Sequence, residues 1–163
     1  MVKKQAAMGT YVMPKPPAIV SCRGKDGQNN ALVVAYVSNC SYDPPMAMVG
    51  IVPSRHSYKL VKETGCFVIN LASPEMKEAY DYLGSHSGRD EDKLAKLKLN
   101  IKDGEKVNAP VLLDCPVNIE CTVVDSIVTG SHEMFVGKVE YVHAPADCLN
   151  EDGKIDFSKI ALL

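Results

Sequence analysis

The sequence predicts a mainly β domain with helical insertions, arranged as a small Greek-key barrel. Three observations carry this. Short apolar runs rich in valine and isoleucine recur along the chain, bounded by Gly, Pro, Asn or Asp. In Val117–Val123, Val117, Ile119, Cys121 and Val123 fall on one face and Asn118, Glu120 and Thr122 on the other, the alternation of a half-buried strand. Only three stretches show helical signals, and turns such as Gly130-Ser131-His132 suit antiparallel neighbours.

In chain order, Met13-Pro14-Lys15-Pro16-Pro17 is an extended lead-in, because its prolines exclude a helix. Ala18–Ser21 reads as a short strand, and Arg23–Asn30 as a hairpin loop rich in turn formers. Strands follow at Ala31–Val37 and Met46–Val52, joined by a polar turn that ends in Asp43-Pro44-Pro45. A first helix runs from about Arg55 to Thr64 and stops at Gly65, which suits a left-handed cap. Cys66–Leu71 is the next strand. A second helix begins at Ser73-Pro74-Glu75, an N-cap followed by proline and an acid in the first turn. Its Met76, Ala79, Tyr80 and Leu83 recur at helical spacing, and Gly84 ends it. A third helix covers Asp90–Leu97, and strands at Val117–Ser126 and Glu133–His143 complete the set. With no repeat and no linker, residues 1–163 form one domain.

Composition excludes several function classes. The chain is 46% hydrophobic with a formal net charge of −2, and no basic face argues for nucleic acid as a partner. No apolar run approaches the roughly 18 residues of a membrane span, and no signal-peptide core follows Met1-Val2-Lys3-Lys4-Gln5, so a cytoplasmic protein is expected. The six cysteines show no C-x-x-C pair and no histidine close enough to make a metal cluster. They read as reduced, mostly buried thiols. Neither a G-x-S-x-G elbow, a P-loop nor a G-x-G-x-x-G fingerprint is present.

By elimination, the best local feature is Pro53-Ser54-Arg55-His56-Ser57-Tyr58, where a strand empties into a helix start. Unpaired N–H groups and the helix dipole favour an anion there. Arg55 adds a planar cation suited to phosphate, and Ser54 and Ser57 add donors. Taken alone, the same run also reads as an N-cap beside a solvated arginine.

The ordered set Asn30…Val33…Tyr36-Val37-Ser38…Tyr42-Asp43-Pro44-Pro45, then Pro53–Tyr58, Glu63-Thr64-Gly65 and Phe67-Val68-Ile69-Asn70, resembles the flavin reductase-like family. So do Ser87-Gly88-Arg89-Asp90…Asp92-Lys93, Cys115–Cys121 and Gly130-Ser131-His132. The likeness spans about residues 12 to 145, and the flavoredoxin and ferric-flavin reductase branch is the most similar. It implies a split β-barrel of the FMN-binding type, a homodimer, and FMN reduced by NAD(P)H or by a redox partner protein. It further implies that Ser54, Arg55 and Ser57 hold the FMN phosphate. Asn30, Val33, Ala35, Val37 and Ser38 would line the ribityl chain and the isoalloxazine ring, and His132 would lie near the nicotinamide. His132 equally reads as an ordinary turn residue. Two positions depart from the family: Val33 replaces a frequent threonine, and the chain ends at Leu163 where many relatives continue, so some C-terminal cover is expected to be missing. Cys40 is expected near the ring as a small space-filling residue.

Three functions follow from these readings: a reductase taking hydride from NAD(P)H, an FMN-holding electron carrier, and a flavin-binding barrel without turnover. A yellow protein removes the last as an empty barrel, and anaerobic bleaching by NADH or NADPH separates the first two. No metal is expected at the site.

Overall fold

The apolar runs form strands because each can bury one or both faces in a curled sheet. The computed structural model describes residues 1–163. Its strands are β1 (Ala18–Arg23), β2 (Asn29–Val34), β3 (Val37–Ser41), β4 (Met46–Ile51), β5 (Cys66–Leu71), β6 (Ile101–Asp103), β7 (Pro110–Leu112), β8 (Val117–Val128) and β9 (Glu133–His143). The helices are α1 (His56–Thr64), α2 (Lys77–Ser85) and α3 (Lys93–Lys96). None is long and apolar enough to cross a membrane.

Seven strands make one sheet in the order β2-β1-β5-β8-β9-β4-β3, every neighbouring pair antiparallel. The edge strands β2 and β3 are consecutive in the chain, separated only by Ala35-Tyr36. The bend therefore joins the two edges and curls the sheet into a split barrel. The expected single strand Ala31–Val37 breaks here: the Tyr36 carbonyl accepts the Gly50 N–H at 2.8 Å, so the chain has moved from the β1 side to the β4 side. Ser38–Ser41, expected in a turn, belongs to β3 and pairs with β4. Arg23, Asn29 and Asn30, expected in a loop, extend the β1–β2 ladder.

The connection α1 carries the chain from β4 to β5. Leu60 and Val61 on α1 join Val20, Val49, Ile51, Phe67, Ile69 and Phe135 in the barrel core. Burying each such side chain contributes roughly 1.5–3 kcal/mol before conformational entropy is counted. Gly65 closes α1 in the left-handed region (φ 68°), as its position predicted.

A second core lies outside the sheet, where Ile19 and Ala31 meet Met76, Leu83 and Leu94. This is why β1 is apolar on both faces. The Met76, Ala79, Tyr80, Leu83 stripe packs here as predicted. Its first turn, Pro74–Met76, is a 3₁₀ turn. Gly84 does not end α2, which continues to Ser85; it lets the helix lie on Val33 of β2. Only Lys93–Lys96 of the expected third helix is α-helical, with the Asp92 carboxylate accepting the Ala95 N–H at 3.0 Å.

The polar face of β8, expected to meet solvent, is buried. The β6–β7 hairpin and the loop between them cover it. Asn118 donates to the Asn70 side chain at 2.8 Å and to the Leu112 carbonyl at 2.9 Å. Glu120, 0% exposed, accepts from the N–H groups of Glu105 (2.8 Å), Lys106 (2.8 Å) and Val107 (3.1 Å), with His143 Nε2 at 2.6 Å. Burial pushes its carboxyl up, but His143 and the three N–H groups outweigh that and hold it below the usual carboxylate range.

Candidate functional site

β4 ends at Ile51, and after Val52-Pro53-Ser54 comes Arg55, the N-cap of α1 in extended conformation (φ −74°, ψ 144°), with no side chain capping the helix. Helix geometry leaves the N–H groups of His56 and Ser57 without an intrahelical acceptor. Both residues line a cavity of about 160 Å³, together with Asn30, Ser54 and Arg55. The opposite wall is Ser85–Arg89 together with Lys93. Only one lining residue is hydrophobic, and none is a carboxylate. Arg55, Arg89 and Lys93 thus share a small polar space with two histidines and no counter-charge.

Protein contacts hold this arrangement in place. Arg89 Nη2 donates to the Ser54 carbonyl at 2.8 Å, and Gln28 Nε2 to the Gly88 carbonyl at 3.3 Å, tying the far wall to the near one. Buried Asn30 donates to Ser57 Oγ at 2.7 Å, which fixes the hydroxyl on the cavity floor. Gly88 packs directly on the Asn30 amide, and a methyl group built there would collide with it. Lys93 donates from Nζ to the carbonyls of Leu83 (3.1 Å) and His86 (2.8 Å), satisfying the end of α2. The nearby Glu91 carboxylate is taken by Lys96 at 2.8 Å and by the Tyr82 hydroxyl.

The electrostatics agree with an anion site. Burial, then the positive charge of Arg89 and Lys59, pushes the His56 imidazole below its usual range. Burial pushes the Lys93 ammonium down to about 8. Beneath the floor, burial pushes the Cys22 thiol up to about 12, so it stays protonated and inert. All six cysteines are free.

A second, less polar hollow of about 560 Å³ lies against the β2–β3 bend. It is lined by Ala35, Tyr36, Val37, Ser38, Asn39 and Met134, with the Gly9–Pro16 segment opposite. Lys15 Nζ stands 5.5 Å from the Tyr36 ring centre. His132 makes a T-shaped contact with that ring, with centroids 4.7 Å apart and planes at 75°. Its Nδ1 meets Ser131 Oγ at 2.7 Å.

The structure therefore brings Asn30, Ser54, Arg55 and Ser57 together, and Ala35, Val37 and Ser38 in a separate group. Five residues along the chain from Asn30 to Ala35 correspond to roughly 16 Å of strand. Val33 joins neither group: its side chain packs under Gly84 of α2 and borders a third hollow with Lys77 and Tyr80. His132 sits behind Tyr36 and does not line the hollow. Cys40, expected to fill space, is exposed on β3 beside Tyr42 and Met46. Sequence reasoning left Arg89 and Lys93 out of the site. Their Ser-Gly-Arg context was visible, but Asp90 and Asp92 beside them masked the local positive charge.

Comparison with known proteins bears on this geometry. Residues 8–157 match the family model described as the flavin reductase like domain. The fold superposes on flavoredoxin of Desulfovibrio vulgaris (Miyazaki F) with a TM-score of 0.90 and 31% identity, covering 97% of this chain and 85% of that one. An uncharacterized protein of Archaeoglobus fulgidus is 35% identical over 130 residues, 79% of this chain and 72% of its own. An NADH-dependent FMN reductase, AsuE2, of Streptomyces nodosus subsp. asukaensis is 26% identical over 137 residues, 84% of this chain and 71% of its own.

Proposed function

Since the chain belongs to the flavin reductase-like family, we propose that it is an FMN-holding oxidoreductase that passes reducing equivalents from NAD(P)H to an acceptor. The observation that carries this is the acid-free cationic cavity at the start of α1, set one strand length from a less polar hollow. The residues fit a phosphorylated flavin. Ser54, Ser57 and the first N–H groups of α1 supply donors, Arg55 and Arg89 supply planar cations, and Ala35 and Val37 offer apolar surface to a ring. The chemistry supplied by a bound flavin is the acceptance and release of hydride or single electrons at its ring.

The chain's own side chains bind and orient. The cavity anchors the phosphate end, and the fixed β2 strand sets the reach to the hollow. Tyr36, near both Lys15 and His132, forms a wall of that hollow. His132 acts through Tyr36 in this reading, aligning the nicotinamide side without giving or taking a proton. The printed name of the Streptomyces relative supports a pyridine-nucleotide donor. The flavoredoxin likeness supports a second reading, an electron carrier served by a protein donor. A homodimer belongs to the same proposal, supported by the exposed Val124, Ile127 and Val128 on the long β8–β9 hairpin. Six free cysteines support a reducing, cytoplasmic setting.

The test is anaerobic spectroscopy of the flavin-loaded protein with each nucleotide. Bleaching by NADH or NADPH supports the reductase, and a spectrum untouched by both transfers the assignment to the carrier. Light scattering should return twice the 17.7 kDa chain mass; a single chain mass at micromolar concentration rejects the dimer.

A further inference from the structure

Among the basic side chains lining the cavity, Arg55, Arg89 and His86 are exposed and His56 is half-buried, whereas Lys93 is 2% exposed. Its Nζ has two protein acceptors, the carbonyls of Leu83 and His86, and no carboxylate. An ammonium carries three donors, so one remains for the cavity that Lys93 lines. We propose that Lys93 is a positioning residue for the phosphate end of the ligand, and that filling the cavity with a dianion draws a proton onto its amine.

The physical basis is the balance of burial against charge. As an ammonium, Lys93 ties the last carbonyls of α2 to the cavity and so sets the Ser85–Arg89 wall. Without an anion, desolvation and the facing cation Arg55 oppose that charge, and the Glu91 carboxylate only partly offsets them. Burial accordingly pushes the amine down to about 8. A dianion at hydrogen-bond range restores the counter-charge and favours the protonated form. The proton comes from bulk water and ends on Nζ, and no other bond changes. His56 and His86 also face the cavity. Burial and the neighbouring Arg89 hold His56 below its usual range, so it exchanges no proton near pH 9. A flavin phosphate, with its second ionisation near 6, is dianionic there. The inference rests on reading the cavity as a flavin phosphate site, and inorganic phosphate tests it separately.

Calorimetric titration of the native protein in two buffers of different ionisation enthalpy counts the protons taken up. At pH 9, FMN should draw in most of one proton, and at pH 7 almost none. Riboflavin, which lacks the phosphate, should draw none at either pH. FMN affinity should fall about tenfold from pH 7 to pH 9 in the native protein, and less than twofold in Lys93→Arg, whose guanidinium stays charged. Lys93→Met should lose about tenfold at pH 7 and show no further fall. FMN binding at pH 9 without proton uptake overturns the proposal and leaves the flavin reading intact; uptake retained by Lys93→Arg does the same. If FMN does not bind but inorganic phosphate binds with uptake, the flavin reading fails and the role of Lys93 stands. If neither binds, both fail. The native proton count decides the matter even where a variant does not fold.

Discussion

Two buried charges lie outside the sheet, one under the β6–β7 hairpin and one on α3, and they are treated differently. Glu120 is 0% exposed and accepts from three backbone N–H groups and His143, so its negative charge is fully partnered within the chain. Lys93 is 2% exposed, has two carbonyls for partners, and looks onto Arg55 and Arg89 across a space without a carboxylate. A buried charge whose partners are all internal is part of the scaffold. A cluster of like charge whose partner is absent from the chain is a binding site, because desolvation and repulsion make it costly unless an anion arrives. Both lie against the one sheet, Glu120 on the outer face of β8 and Lys93 on α3, across the cavity that Asn30 of β2 also lines.

That contrast can be broken first at the scaffold. Glu120→Ala leaves three backbone N–H groups, that of Val107 buried, and a histidine without their acceptor, and should destabilise the fold by about 3–5 kcal/mol. Thermal unfolding reads this directly, and FMN affinity of the folded fraction should not move. Equal stability would mean that the loop over β8 holds itself.

The cation cluster should answer in the opposite way. Arg89→Ala removes a charge-assisted contact and the tie to the Ser54 carbonyl. FMN affinity should drop tenfold to hundredfold, about 1.5–3 kcal/mol, while the melting temperature of the ligand-free protein stays within a degree or two. A large loss of stability with unchanged affinity would place Arg89 in the scaffold. Gly88→Ala sharpens the same point at a smaller scale. Its methyl group must displace Asn30 and so release Ser57 Oγ. A loss of about 1 kcal/mol in FMN binding is expected, roughly fivefold to tenfold, measured by fluorescence quenching.

A pH-dependent effect belongs to Glu133, another carboxylate partnered from within. It accepts from Ser126 Oγ (2.6 Å), Tyr58 Oη (2.5 Å) and Lys62 Nζ (3.0 Å). The Ser126 and Tyr58 hydroxyls, with Lys62 beside them, hold its carboxyl down at about 2. A depressed carboxyl stabilises the fold fully above its unfolded value near 4.3 and loses that contribution as the pH falls toward 2. Glu133→Gln keeps an acceptor oxygen but not the charge, so it should lower stability at pH 7 and flatten the acid limb between pH 4 and 2. An unchanged acid limb would remove Glu133 from the linkage.

Much of the scaffold was legible because its signals are local. Cys66–Leu71 and Glu133–His143 were bounded as observed, and Gly65 caps α1 where its position said it would. Ser38–Ser41 escaped notice because a polar edge strand is held by its backbone ladder to β4, which leaves no apolar alternation to read. The three-residue strands β6 and β7 are too short to show a period, and without them the burial of Glu120 was invisible. The near wall of the cavity was readable, since Ser54, Arg55 and Ser57 lie within one turn. Its far wall arrives from more than thirty residues downstream, which is tertiary information.

The decisive measurement is the affinity of the protein for FMN against riboflavin, in the native chain and in Arg55→Ala. The cationic cavity requires that the phosphate contribute strongly, so native protein should prefer FMN by about a hundredfold, and Arg55→Ala should erase at least a tenfold share of that preference while leaving riboflavin binding as it was. Equal affinity for FMN and riboflavin in the native protein, or a preference untouched by Arg55→Ala, would show that the cavity at the start of α1 is not where the phosphate sits.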